Sequence, residues 1–193
     1  MSRLRRRSRP TPVLADTELE STPDRRASGV RVGAILLVLA LAALVWAVDQ
    51  GAKALVIEHL DPGVATPIIG QLLQFTFVRN PGAAFSMGGG MTWIFAILAA
   101  AVAVFIVVFA RRIRSLAWAT VFGLLLGGTI GNLTDRLFRE PGFAQGHVID
   151  FIQIWGFPAI FNIADVAITA SMVVFVLLTL IGVGLDGARR GAS

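Results

Sequence analysis

The sequence predicts an all-α integral membrane protein, a four-transmembrane-helix bundle with N and C termini cytoplasmic and a small external β-like platform. Three observations carry this. The 193 residues are 55% hydrophobic and their mean hydropathy is +0.75, too apolar for an ordinary soluble domain of this length. Four runs, at about 32–57, 91–110, 116–135 and 159–183, approach the roughly 20 residues needed to cross a bilayer. Arginine clusters stand before the first run, between the second and third, and after the fourth.

Residues 1–31 hold eight arginines with Pro, Ser and Thr and few large apolar residues, which predicts a disordered cytoplasmic tail. The run that follows is too long and too well continued for a cleaved signal peptide, so it reads as an uncleaved first span. Arg111, Arg112 and Arg114 fill the tight turn between spans two and three, and Arg189 and Arg190 follow span four. The positive-inside rule makes these segments cytoplasmic. The membrane domain is then 32–184, with an external segment 58–90, an external loop 136–158 and a second cytoplasmic tail at 185–193. The net charge of +5 tracks topology and implies no nucleic-acid partner. The absence of cysteine excludes thiol catalysis, thiolate metal sites and disulfides.

Lys53 is the sole lysine and stands four residues after Asp49, on one helix face near the external end of span one. It reads equally well as half of a structural ion pair or as part of a site. In the external segment, Gln71 to Arg79 is rich in aromatic and β-branched residues and predicts a short strand. Asn80-Pro81-Gly82 predicts a turn, Ala83-Ala84-Phe85-Ser86 a small amphipathic stretch, and Gly88-Gly89-Gly90 a hinge. Asn80 would offer hydrogen bonds to a peptide backbone. Span two carries no charge and reads as scaffold.

Span three has glycines at 123, 127 and 131, the spacing that lets membrane helices approach closely. Asp135 continues that stripe and Asn132 lies one turn before it, so both are expected to face the bundle. Arg136 is expected to reach toward head groups. In the next loop, Val148 to Ile152 alternates like a strand and carries Asp150. In span four, Asn162, Asp165 and Thr169 form one polar stripe, which must face the bundle or a wet pocket.

A carboxylate near hydrocarbon is costly unless paired, solvated or protonated, so Asp150 and Asp165 are functional candidates by default. Two such groups at one membrane face can share a proton and activate water. There is no His-Glu-x-x-His, and His59 and His147 are far apart, so neither a metal nor a cofactor is implied. Asp135 is the rival for Asp150. A Ser86–Lys53 dyad is a rival chemistry, although Asp49 would keep Lys53 charged and a poor base. A small proton- or ion-coupled carrier is the rival outside enzymology, since intramembrane acids also mark ion pathways.

At these residues the chain resembles the bacterial lipoprotein signal peptidases, the type II signal peptidases. The matching blocks occur in the family's order: Asp49-Gln50 with Lys53; Asn80-x-Gly82-Ala83-Ala84-Phe85-Ser86; Gly127-Gly128-x-x-Gly131-Asn132-x-x-Asp135-Arg136; Val148-Ile149-Asp150-Phe151; and Phe161-Asn162-x-Ala164-Asp165. They cover roughly residues 33–183. The resemblance implies an aspartyl endopeptidase of the bacterial inner membrane, active at its external face, probing lipid-modified prolipoprotein signal peptides amid membrane phospholipid. It would cleave before the diacylglyceryl-modified cysteine. It implies Asp150 and Asp165 as the catalytic pair, with Asp49, Lys53, Asn80, Asn132, Asp135, Arg136 and Asn162 supporting. A monomer is expected.

Overall fold

The computed structural model describes residues 25–82 and 92–189, with side chains described from residue 32 onward. Ser86, the Ala83-Ala84-Phe85 stretch, the Gly88–Gly90 hinge, Arg190 and tail residues 1–24 lie outside the described residues. The chain runs α1 (Arg25–His59), β1 (Ala65–Ile69), β2 (Leu73–Asn80), α2 (Thr92–Phe109), a 3₁₀ turn (Ala110–Arg112), α3 (Leu116–Phe138), β3 (Val148–Ile154), β4 (Ile160–Phe161) and α4 (Ile163–Leu180). Among the described residues, four helices are long and apolar enough to cross a membrane: Val32–His59, Thr92–Ala110, Leu116–Phe138 and Ile163–Leu180.

α3 is the central helix and packs against α1, α4 and α2. In its most apolar stretch 56% of residues are buried inside the protein, against 22% in each other span, so the others turn most of their surface toward lipid. The glycines make the close approach possible. A Cβ at Gly127 would sit 2.7 Å from Val45 Cβ and 2.8 Å from the Ala42 carbonyl, closer than any side chain tolerates. The apolar core lies in two parts. Val38, Ala42, Ile106, Ile113, Trp118, Phe122 and Leu178 fill the end holding the α2–α3 turn. Val56, Phe77, Ile149 and Phe151 fill a smaller core beneath the sheet.

The sheet is antiparallel in the order β1-β2-β3-β4. β2 and β3 form its centre, with Leu73 opposite Ile154 and Asn80 opposite Val148. Thr76 Oγ1 donates to Gln153 Oε1 at 2.7 Å across this pair. β1 is exposed along its whole length.

Four boundaries depart from the sequence expectation by three residues or more, one of them the end of α4 at Leu180 rather than 183. α1 starts at Arg25, so residues 25–31 of the expected disordered tail are helical; Arg and Ala propagate a helix well and no proline interrupts it. α3 runs to Phe138 rather than 135. α4 starts at Ile163 rather than 159, because Asn162 caps it and Ile160–Phe161 pair with β3 instead.

Candidate active site

α4's first turn builds the site. Asn162, in extended conformation, accepts through Oδ1 from the backbone N–H of Asp165, while Asp165 Oδ2 accepts from the backbone N–H of Asn162. This reciprocal capping box satisfies two helix-start donors and fixes the Asp165 side chain. A third donor, the Ala164 N–H, is taken at 2.9 Å by Asp49 Oδ1 from α1. The first helix therefore caps the last.

Asp49, Lys53 and Asp135 form a fully buried cluster. Lys53 Nζ lies 2.8 Å from Asp49 Oδ2 and 2.7 Å from Asp135 Oδ2. Arg139 Nε lies 2.6 Å from Asp135 Oδ1. Gln50 Nε2 reaches both carboxylates and the Gly131 carbonyl, and Asp135 Oδ2 also accepts from the Ile149 N–H. Two carboxylates thus meet two cations, and the cluster is neutral overall. Of the two readings left open for Lys53, the geometry is that of the buried ion pair, with a second carboxylate added. Arg139 and Gln50 were missed as contributors, although the Asp135–Arg139 spacing of four on a helix was a usable signal.

Asp150 and Asp165 have different partners. Asp150 Oδ2 accepts from Asn80 Nδ2 at 2.9 Å and its Oδ1 from Asn162 Nδ2 at 2.6 Å. Asp165 Oδ1 accepts from Asn132 Nδ2 at 2.8 Å. Asn162 Nδ2 also donates to Asn132 Oδ1 at 3.1 Å, so a chain of amides links the two carboxylates. Lys53 Nζ donates to that same Asn132 oxygen at 3.1 Å, joining the buried cluster to the chain. Among the described residues, neither Asp150 nor Asp165 makes an ion pair.

Both aspartates line one cavity of about 640 Å³. Asn80, Gly82, Asn132, Arg136 and Thr169 add polar groups; Val148, Phe157, Ala159, Ile160, Phe161, Val166 and Ala170 supply apolar walls. Asp135 and Asp49 are not in its lining. Asp150 is buried on β3, and burial pushes its carboxyl up to about 6. The neighbouring Asp165 carboxylate raises it further, while the Asn80 and Asn162 hydrogen bonds and Lys53 pull the other way.

Arg136 corrects an expectation. It does not reach out to head groups but lies buried against the cavity. Nη2 donates to the Gly82 carbonyl at 3.0 Å, Nη1 to the Asn132 carbonyl at 3.3 Å, and the guanidinium sits 5.8 Å from the centre of the Phe95 ring. The bundle closes over a side chain that one-dimensional spacing pointed away from Asp135. The seven expected supporting residues therefore divide: Asn80, Asn132 and Arg136 line the cavity, Asn162 holds Asp150 from behind, and Asp49, Lys53 and Asp135 form the adjoining cluster. Among the described residues, no group of three or more His, Cys, Asp or Glu side chains is arranged to hold a metal ion.

Comparison with known proteins adds an independent line. The family model for signal peptidase (SPase) II matches residues 41–181. A lipoprotein signal peptidase of Leifsonia xyli is 56% identical over 172 residues, covering 89% of this chain and 79% of that protein. Another, from Rhodococcus jostii, is 45% identical, covering 82% and 79%. A solved bacterial membrane enzyme superposes with a TM-score of 0.69 at 26% identity, over 81% of this chain and 94% of its own.

Proposed function

The chain belongs to the signal peptidase II family, and from that membership we propose that it is an aspartyl endopeptidase that removes the signal peptides of prolipoproteins, using Asp150 and Asp165. It is a multi-pass membrane peptidase by family and by its four apolar helices. The observation that carries the aspartyl reading is that these two carboxylates, alone among the acids of the described residues, line this cavity and have only neutral hydrogen-bonding partners.

In this mechanism the pair carries one proton. The ionised member takes a proton from a water molecule, whose oxygen attacks the scissile carbonyl carbon. The protonated member donates to the carbonyl oxygen. The tetrahedral intermediate then collapses as its C–N bond breaks, with a proton passing to the departing amine. Proximity of the two carboxylates and burial of Asp150 oppose double ionisation. The Arg136 guanidinium on the cavity wall balances the single remaining charge. Asn80, Asn132 and Asn162 hold the carboxylates without neutralising them. Lys53, Asp49 and Asp135 position Asn132 and the start of α4.

The substrate class follows from the walls. Val166, Thr169 and Ala170 are exposed on α4 and line the cavity, so the cavity opens sideways toward hydrocarbon. A diacylglyceryl-modified cysteine enters from that side with its acyl chains left in lipid, at about 0.8 kcal/mol gained per buried methylene. The peptide is cut just before that cysteine. The exposed Arg111, Arg112, Arg114 and Arg189 lie at the end of the bundle opposite the aspartates, which supports cytoplasmic termini and an active site at the external face of the inner membrane. The protein acts as a monomer, without cofactor, among phospholipids and away from nucleic acid. A carrier reading loses to family membership and to the grouping of the acids at one end of the bundle.

The test is cleavage of a diacylglyceryl-modified precursor peptide against its unlipidated twin by the purified protein, with the products weighed. Only the lipidated peptide is expected to be cut, immediately before the modified cysteine. Equal rates would remove the lipoprotein specificity.

A further inference from the structure

The far end of the bundle carries a second cavity, of about 500 Å³, lined by Arg111, Arg112, Arg114, Leu185, Asp186 and neighbouring small residues. We propose that it binds the phosphate head group of an anionic phospholipid, with Arg111, Arg112 and Arg114 as its ligands.

The two walls come from separate segments fastened together. One is the 3₁₀ turn Ala110–Arg112 and the residues leading into α3. This turn is anchored by Ala110 and Ile113, both buried, which leaves the three intervening and following arginines exposed along the cavity. The other wall is the chain beyond α4, which folds back instead of leaving. The Arg114 and Ser115 N–H groups both donate to the Leu185 carbonyl at 3.0 Å. Trp118 Nε1 donates to the Val183 carbonyl at 3.0 Å, and Val183 pairs with Arg189 in an antiparallel bridge.

The charges inside are unbalanced. Among the described residues, none of the three arginines makes an ion pair. Asp186 lines the same cavity, yet its Oδ1 accepts from the Ala188 N–H at 3.0 Å in a local turn. Arg112 rests its guanidinium 5.8 Å from the Phe109 ring centre, but three arginines lining one small space still repel each other, and an anion placed among them relieves that and receives charge-assisted hydrogen bonds. A topology signal needs only the number of arginines. It needs neither a cavity nor a returning segment hydrogen-bonded across it.

The surroundings select a lipid over a soluble anion. Phe105, Val108, Leu116, Leu180 and Ile181 are all more than half exposed beside this end, an apolar skirt on which acyl chains lie while the phosphate reaches the arginines. Basic pockets at helix ends on the cytoplasmic side suit anionic head groups in this way.

The test uses the full chain purified in detergent, with lipid binding followed by native mass spectrometry and by the shift in unfolding temperature. Phosphatidylglycerol is expected to bind and stabilise; phosphatidylcholine and inorganic phosphate at equal concentration are not. Arg112→Gln is expected to weaken phosphatidylglycerol binding about fivefold, and the triple Arg111→Gln, Arg112→Gln, Arg114→Gln variant on the order of a hundredfold. Asp186→Asn, which keeps an acceptor for Ala188 N–H but removes a negative charge, is expected to tighten it. Arg79→Gln, at the other end of the molecule, is the control and should change nothing. If the triple variant fails to fold, Arg112→Gln alone decides. Unchanged binding by the arginine variants, or equal binding of phosphatidylcholine, overturns the site. A matching response to inorganic phosphate overturns the lipid as its ligand. The site shares no residue with the aspartate cavity, so its failure leaves the peptidase reading intact.

Discussion

Four aspartates share one end of this bundle and fall into two regions of opposite character. Asp49 and Asp135 are fully buried, bonded to Lys53 and Arg139, and withdrawn from the cavity. Asp150 and Asp165 are held by three asparagines and face it. Cationic partners offset a carboxylate's charge where it sits; amide partners orient it and leave that charge without a counter-ion. The residue type is the same in both regions. What differs is the partner, and on the proposed mechanism that difference separates scaffolding from chemistry.

The strongest way to break this contrast is to neutralise the cavity pair. Asp150→Asn or Asp165→Asn is expected to lower cleavage of a lipidated precursor by about 10²–10⁴-fold, while the protein stays folded and inserted. Normal turnover by both purified variants would refute the assignment. The complementary change is Lys53→Met, which strands Asp49 and Asp135 without their shared cation. It is expected to cost about 3–5 kcal/mol of stability, read from unfolding in detergent. A loss of activity with no loss of stability would move Lys53 out of the structural region.

A smaller effect tests the close helix contact on which both regions rest. Gly127→Ala places a methyl against Val45 and the Ala42 carbonyl and is expected to cost about 1–3 kcal/mol as an overpacking change. The titration of Asp150 sharpens the contrast further. Its carboxyl is raised to about 6, chiefly by burial, while an unfolded chain's Asp titrates near about 3.9. Between those values the folded protein holds a proton that the unfolded chain has released. Stability from this group is therefore full below that window and falls as pH rises through it. The fall should vanish in Asp150→Asn, as measured by unfolding temperature against pH. The smallest effect belongs to Ser86→Ala. Lys53 is held between two carboxylates and the proposed mechanism gives Ser86 no part, so cleavage is expected to survive within about twofold.

The helices were legible because hydrocarbon demands long apolar runs, and four such runs leave few choices. The strand at Val148–Ile154 was half legible, since alternation over a few residues is a faint signal. β1 was not, because Pro67 breaks its pattern and every one of its side chains is exposed. β4, two residues long, has no period at all. Within the candidate site, spacing alone put Asp135 inside the bundle. It could not reveal that Asp150, on a strand, meets the same cavity as Asp165, on a helix. That meeting depends on β3 pairing with β2 and on α4 starting at residue 163. The Asn162-x-x-Asp165 capping box was readable in principle, but the apolar residues before it, Ala159 to Phe161, disguised the helix start as the interior of a span. Arg136 escaped because its partner is a backbone carbonyl at Gly82, which no residue pattern announces.

The hydrogen bond from the Ala164 N–H to Asp49 also ties an early part of the chain to one made much later. Asp49 leaves the ribosome well before Ala164, which follows it by 115 residues. A nascent chain that has inserted three spans holds Asp49 and Lys53 in the bilayer but lacks half of the carboxylate pair and the helix start that aims it. On the proposed mechanism, proteolytic competence therefore waits for the span that carries Asp165.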